Sequence, residues 1–240
     1  MITPLQVPVI GFMHSPFKEK FGIPRQPNLV DVESYIVMQA PYDDIRAFAG
    51  IEEFSHLWLL WQFHHNKALD GFRPQIRPPR LGGNQKIGVF ASRSMYRPAQ
   101  IGLSVVRLKR VEQLDGQLRV YVSGADLLDG TPIVDIKPYI AYSDAIADAQ
   151  SGYASQAPQL KQVIWSDTAL AQRTELAERG LGSSRQYQEI EQVLALDPRP
   201  AYQDDPERIY GLHFAEFDVR FQVRATDIVI VELTEYIKVE

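Results

Sequence analysis

Across residues 7–141, short runs of β-branched and aromatic side chains are cut repeatedly by glycine and proline. Such punctuation suits strands and interrupts helices. The runs are Val9-Ile10-Gly11-Phe12-Met13, Tyr35-Ile36-Val37-Met38, Leu57-Trp58-Leu59-Leu60-Trp61, Ile87-Gly88-Val89-Phe90, Leu103-Ser104-Val105-Val106 and Leu118-Arg119-Val120-Tyr121-Val122. We expect them to form a single-sheeted closed β-barrel in a mainly β protein. Gly11, Gly88 and Gly102 read as kinks of its strands. One helix is expected in this half, over residues 42–48. Asp43 and Asp44 lie near its start, as the helix dipole favours, and Gly50 follows its end.

The composition changes at residues 142–158, where Ala, Ser, Asp and Gln replace large apolar side chains. Beyond it Leu160, Val163, Ile164, Leu170 and Leu176 recur at helical spacing, as do Ile190, Val193 and Leu194, with Gly180-Leu181-Gly182-Ser183-Ser184 between them. Strand-like alternation returns over residues 209–214, 218–223 and 228–233. The expected organisation is a barrel over residues 1–143, a linker over 144–158 and a small C-terminal α+β appendage over 159–240.

With 240 residues, 45% of them apolar, the chain can fill a core. It has no cysteine, which excludes disulfides, thiolate metal sites and a cysteine nucleophile. It shows neither a signal-like start nor a run of apolar residues long enough to span a bilayer, and reads as a cytoplasmic protein. The formal charge is −5, yet residues 71–111 contain no Asp or Glu and nine cations: Arg73, Arg77, Arg80, Lys86, Arg93, Arg97, Arg107, Lys109 and Arg110. A patch of that sign in an acidic chain points to an anionic ligand on one face.

The segment from Asp126 to Tyr139 holds Asp126, Asp129, Asp135 and Lys137 around the turn signal Asp129-Gly130-Thr131-Pro132. The turn is expected to bring Asp126 or Asp129 within reach of Asp135 and Lys137. Taken alone, this pattern fits an Asx-turn with a surface ion pair at least as well as it fits a ligand site. Pro24-Arg25-Gln26-Pro27 restricts its backbone to extended conformations. It reads either as an ordinary surface loop or as one that frees the amides of Arg25 and Gln26 for a ligand. His64 and His65, adjacent after an apolar strand, are expected to face opposite ways. His14, His56 and His213 are scattered, and no metal site is expected. Neither a P-loop nor a G-x-G-x-x-G motif is present, which disfavours the usual nucleotide-binding architectures.

Phe17-Lys18-Glu19-Lys20-Phe21, Pro24-Arg25-Gln26-Pro27, Phe54-Ser55-His56-Leu57-Trp58, Arg77-Pro78-Pro79-Arg80-Leu81-Gly82-Gly83, Ser92-Arg93-Ser94, Asp129-Gly130-Thr131-Pro132, Asp135-Ile136-Lys137-Pro138-Tyr139 and Asp197-Pro198-Arg199-Pro200-Ala201-Tyr202 together resemble the TrmO family, also called TsaA or YaeB. The resemblance implies a tRNA methyltransferase that moves the methyl of S-adenosylmethionine to the exocyclic nitrogen of threonylcarbamoyladenosine, next to the anticodon. It also implies a β-barrel fold, a homodimer, and cofactor contacts from Pro24, Arg25, Gln26, His64, His65, Arg93, Leu103, Asp126, Leu127, Leu128 and Asp129. The family commonly reads Arg-Pro-Asn-Pro-Ile-Gly where this chain has Arg97-Pro98-Ala99-Gln100-Ile101-Gly102. No role resting on that Asn transfers to Ala99, although Gln100 supplies an amide.

For such a reaction the protein has to align nucleophile and methyl and to handle one proton. Asp129 and Asp135 are the candidate bases, with Lys137 orienting the carbamoyl oxygen. Arg77, Arg80 and Arg97 are assigned to phosphates of the anticodon stem-loop, with Tyr96 or Phe72 available for stacking. Two other readings use the same residues: a non-catalytic barrel that binds S-adenosylmethionine or RNA for regulation, and a small-molecule methyltransferase on the same fold.

Overall fold

The structure, a computed structural model, describes residues 5–66, 71–200, 203 and 205–237. Ala201 and Tyr202, the end of the C-terminal motif named above, lie outside the described residues.

In chain order the strands are Gly11–His14 (β1), Glu33–Met38 (β2), His56–Gln62 (β3), Gln75–Ile76 (β4), Ile87–Gly88 (β5), Ile101–Leu114 (β6), Gln117–Ser123 (β7) and Pro132–Pro138 (β8), followed by a short helix, Ala141–Asp144 (α1). The C-terminal part comprises Gln162–Trp165 (β9), helices Asp167–Glu178 (α2) and Ser184–Ala195 (α3), then Ile209–Phe214 (β10), Phe217–Val223 (β11) and Asp227–Glu235 (β12). Six strands pair antiparallel in the order β1-β2-β7-β6-β3-β8, and β1 bonds to β8 through Gly11 opposite Ile133 and Phe12 opposite Pro132. The ring buries alternate residues of each strand, as the two-residue period of a strand requires. Met13, Ile36, Leu57, Leu59, Val106 and Val120 are fully inside. Gly102 is required there, because a Cβ would sit 2.2 Å from the Trp61 ring.

The expected single-sheeted barrel with a small appendage is corrected here. The strands belong to three sheets, of six, four and two strands. The four-stranded sheet, β10-β11-β12-β9, carries α2 and α3 and encloses nineteen buried residues among those described, against thirteen for the six-stranded sheet. The C-terminal part therefore has the larger core.

Three local expectations also change. Residues 42–48 contain only a 3-10 turn, Ile45–Phe48, capped by the Asp44 carboxylate accepting from the Arg46 amide; only Phe48, partly buried, packs against the core, so little burial rewards a longer helix. Val163 and Ile164 belong to β9, which pairs parallel with β12, and the first helix starts only at Asp167. Phe90 lies in a 3-10 turn, Val89–Ala91, rather than in a strand. The glycine-rich break before α3 is as expected, and Ser183 and Gln186 close it with a reciprocal capping box.

The two cores meet at the β1–β2 connection, residues 15–32. Its Phe17, Val30 and Val32 are buried in the C-terminal core rather than under the six-stranded sheet. Phe17 bridges to Phe214 and packs edge-on against that ring at 5.7 Å, and the Ala215 amide donates to the Pro16 carbonyl. Gly22, at φ +86°, lies so close to Leu212 that a Cβ would meet its Cδ1 at 2.3 Å. Truncating Phe17 to Ala should cost about 3–5 kcal/mol, as for other fully buried aromatic rings. Urea unfolding would show this as a lowered midpoint with an unchanged slope.

Candidate active site

The strand pairing puts three connections at one rim of the closed sheet. β1, β3 and β7 end there while β2, β6 and β8 begin there, so among the described residues the rim gathers 15–32, 63–66, 71–100 and 124–131. Almost every residue assigned to the cofactor lies in these three connections. Leu103 is the exception, two residues inside β6 with its side chain on the outer face and half exposed.

The β7–β8 turn is stitched to the end of β1. The Asp129 amide donates to the Phe17 carbonyl at 2.9 Å, and the Gly130 amide donates to the Met13 carbonyl at 2.8 Å. The Asp129 carboxylate accepts from the Ser15 amide (2.9 Å) and pairs with Lys18 (2.9 Å). Buried Thr131 closes the turn through its hydroxyl, which donates to the Leu128 carbonyl at 2.6 Å. Leu127 is 1% exposed and belongs to the core, so only its backbone can meet a ligand.

Asp126 points toward the inside of the sheet. Trp61 Nε1 donates to Ser104 Oγ at 3.0 Å, and Ser104 Oγ donates to Asp126 Oδ1 at 2.6 Å. Burial raises the Asp126 carboxyl above its ordinary pKa, while the Ser104 hydrogen bond and, more weakly, Arg93 pull it back. Arg93 in turn donates to Gln26 Oε1 at 2.5 Å, which joins the first and second of the three connections. Pro24 is buried, Arg25 exposed and Gln26 half-buried.

His64 and His65 follow the end of β3 instead of continuing it. Their rings lie 4.4 Å apart at 74°, so the strand rule that would separate them does not apply. His64 Nε2 lies 4.0 Å from where a Cβ of Gly130 would be. Burial, and then the neighbouring His65 and Lys20, lower the His64 pKa; contacts with the backbone of Gln62 and Asp129 oppose this. His64 is thus a neutral ring near pH 7, offering one donor and one acceptor. Lys20 holds the next residues by donating to the His65 carbonyl (2.6 Å) and to Asn66 Oδ1 (2.7 Å).

Asp135 and Lys137 do not join this cluster. They pair with each other at 2.8 Å on the outer face of β8, where Asp135 lies opposite Leu60 and Lys137 opposite Trp58. The irregular register between Leu60 and Trp61 brings Asp135 to that outward position. Because Leu60 also pairs with Leu103, Asp135 and Leu103 share the outer face, one strand apart. The three carboxylates read as one group from the turn signal are therefore three sites: Asp126 on Ser104, Asp129 on Ser15 and Lys18, and Asp135 on Lys137.

Eight of the nine cations divide into two groups. Lys109 lies 3.8 Å from Asp31, and Arg110 lies 3.6 Å from Glu33 and over the Tyr121 ring. Among the described residues no ion pair engages Arg73, Arg77, Arg80, Lys86, Arg93 or Arg97, all in the β3–β6 connection at the rim. Arg80 donates to the Gln156 carbonyl and Arg97 to the Ser92 carbonyl (2.9 Å), contacts that hold side chains without neutralising them. Gln100 adopts φ +44°, and its carbonyl accepts from the Phe63 amide at 3.0 Å. Sequence reasoning missed Ser15, Lys18 and Ser104. A polar Ser104 between Gly102 and Val106 on the buried parity of β6 is the signal that would have found the last of them.

Residues 12–145 match the family model described as the tRNA-methyltransferase O N-terminal domain, and residues 142–236 match the TrmO C-terminal domain. The chain belongs to the TrmO family. It is 42% identical over 229 residues to the tRNA (adenine(37)-N6)-methyltransferase of Escherichia coli, covering 92% of this chain and 94% of that one. It is 46% identical over 223 residues to RcsF of Pseudomonas aeruginosa, described as a putative S-adenosylmethionine-dependent methyltransferase, with 92% and 93% covered. The crystal structure of TrmO from Pseudomonas aeruginosa superposes with a TM-score of 0.78 at 38% identity, over 97% of this chain and 99% of that one. No helix among the described residues is long and apolar enough to cross a membrane.

In this TrmO-family chain the raised Asp126 carboxyl carries a test. A carboxyl whose folded pKa lies above its unfolded value adds no penalty at low pH, and its penalty develops as pH rises through the folded pKa. Asp126→Asn should therefore melt higher than the wild type at pH 8, with the gap closing toward acidic pH. A gap that widened on acidification would contradict the assignment.

Proposed function

We propose that this chain is a tRNA methyltransferase that places the methyl of S-adenosylmethionine on N6 of adenosine 37, the acceptor being the exocyclic nitrogen of threonylcarbamoyladenosine. The observation that carries it is the near end-to-end likeness to an enzyme described as a tRNA (adenine(37)-N6)-methyltransferase, with no more than a tenth of either chain left uncovered. The rim supports the cofactor assignment. S-adenosylmethionine carries a sulfonium, an ammonium, a carboxylate and ribose hydroxyls, and the rim offers both signs at close range: Asp126 and Asp129 beside Arg93 and Lys18. The residues present fit that group. Bound there, it supplies a methyl on a cationic sulfur.

Pro24, Arg25, Gln26, Arg93 and the 126–129 turn hold the cofactor in this reading, and the neutral His64 lines the same rim beside His65. Leu103 provides an apolar contact on the adjoining outer face. Asp135 is the base that takes the proton from the acceptor nitrogen, because its carboxylate is exposed on the same outer face as Leu103, across Leu60, and Lys137 at 2.8 Å orients the carbamoyl oxygen. Asp129, already holding the Ser15 amide and Lys18, is the second candidate base. Arg77, Arg80 and Arg97 take phosphates of the anticodon stem-loop. A homodimer, a cytoplasmic setting, and two modules joined by residues 144–158 belong to the same proposal.

Nucleoside mass spectrometry of tRNA incubated with the protein and S-adenosylmethionine should show one added methyl on threonylcarbamoyladenosine; its absence with active cofactor binding would reject the reading. Asp135→Asn should lower single-turnover methylation by about a hundredfold, the usual size of a lost general base, without altering cofactor affinity by calorimetry. Arg77→Glu combined with Arg80→Glu should weaken tRNA binding steeply in low salt while leaving cofactor affinity in place. Equal losses of both would argue against separate sites.

A further inference from the structure

The β3–β6 connection exposes two phenylalanine rings that the methyl-transfer chemistry does not use. Phe72 is 61% exposed and Phe90 is 71% exposed. Phenylalanine is among the residues most often buried, and leaving two rings in water forgoes the stabilisation their burial would give. The backbone nevertheless fixes them. β4 and β5 pair through Gln75 opposite Gly88 and Ile76 opposite Ile87, and the Val89 amide extends the ladder by donating to the Pro74 carbonyl at 2.9 Å. Phe72 precedes this two-stranded ribbon and Phe90 follows it, so their rings come together at its base, stacked with centroids 6.0 Å apart and planes at 27°.

The position of Phe90 is set by its neighbours. Val89 is 1% exposed and pins the 3-10 turn to the protein, and Ser92 closes that turn by donating from its hydroxyl to the Val89 carbonyl at 2.8 Å. With Val89 turned inward, Phe90 projects outward. Two flat rings held in a stack by main-chain bonds, with no core over them, present a ready surface for a third flat ring. The same connection carries Arg73, Arg77 and Lys86, and no carboxylate occurs anywhere between residues 71 and 111. An occupant that is planar, aromatic and tethered to negative charge satisfies both features. An unpaired nucleotide has that chemistry, whereas a duplex offers its bases only at its ends.

We propose that Phe72 and Phe90 form a stacking platform for an unpaired nucleobase of the RNA substrate, with Arg73, Arg77 and Lys86 holding the phosphates on either side of it. The inference rests on the tRNA reading above and deepens it by naming where a loop nucleotide is held. Because every base has a π-face, the platform recognises single-strandedness rather than sequence.

The test compares two labelled RNAs by fluorescence anisotropy against the full-length protein: a stem-loop with an unpaired loop, and a blunt duplex of matched length. Both rings are largely exposed, so Phe72→Ala with Phe90→Ala leaves the fold in place. Stem-loop affinity should fall about tenfold, as expected for one lost base stack, while duplex affinity and calorimetric S-adenosylmethionine affinity stay unchanged. Phe72→Trp should retain wild-type binding. Unaltered stem-loop affinity in the double variant, or equal losses on stem-loop and duplex, overturns the platform. So does a change in sedimentation of the free protein with RNA affinity intact, which would mean that a second copy of the chain covers the rings. A wild-type methylation assay run alongside separates the two levels: failure there removes the tRNA reading itself, whereas normal methylation with unaltered variant binding removes only the platform.

Discussion

The rim depends on one side chain that is buried in the wrong place for its position in the chain. Phe17 follows directly from the first strand of the six-stranded sheet, yet its ring sits in the C-terminal core against Phe214. Its backbone carbonyl meanwhile accepts the Asp129 amide, and its neighbours Ser15 and Lys18 hold the Asp129 carboxylate. One short segment thus has apolar contacts on one side and the β7–β8 turn on the other. The C-terminal sheet acts as the template against which residues 15–32 are shaped, and those residues carry Pro24, Arg25 and Gln26 to the rim. The His213 amide donating to Glu19 Oε1 and the close approach of Gly22 to Leu212 extend the same seam.

Electrostatics follow from that arrangement. Folding brings Asp31 and Glu33 against Lys109 and Arg110, which cancels the end of the acid-free window. The cations in the β3–β6 connection have no such partners among the described residues, and one of them, Arg93, lies close enough to the raised Asp126 carboxyl to pull its pKa back down. Exposed pairs such as Lys109–Asp31 contribute little to stability, so their main effect is to confine the positive field to the rim.

Much of this was legible in the sequence, for identifiable reasons. Gly and Pro punctuation with β-branched runs marked β1, β2, β3 and β7 because each buries one face and alternates. The motif residues from Pro24 to Asp129 were legible as a set, and their gathering at one rim follows from strand order. What stayed hidden was tertiary. Nothing local to Phe17 says which of two cores takes its ring, and Val163 and Ile164 look helical until β12 supplies a parallel partner. Asp126, Asp129 and Asp135 looked like one cluster because they are close in sequence; the register of β8 separates them. The 14-residue length of β6 was legible but unread, since Asp115-Gly116, both at positive φ, is a two-residue hairpin signal.

The central claim is that the C-terminal core shapes, through Phe17, the rim proposed to hold the cofactor. It is tested most directly by calorimetric S-adenosylmethionine affinity in Phe214→Ala, with Leu233→Ala, a truncation elsewhere in the same core, as the control for general destabilisation. Both variants should lower the unfolding midpoint, and only Phe214→Ala should weaken cofactor binding, by about tenfold if displacement of the Asp129 turn removes one charged contact. Equal affinities in the two variants would show that the rim holds its shape without the ring pair, and the account would be wrong.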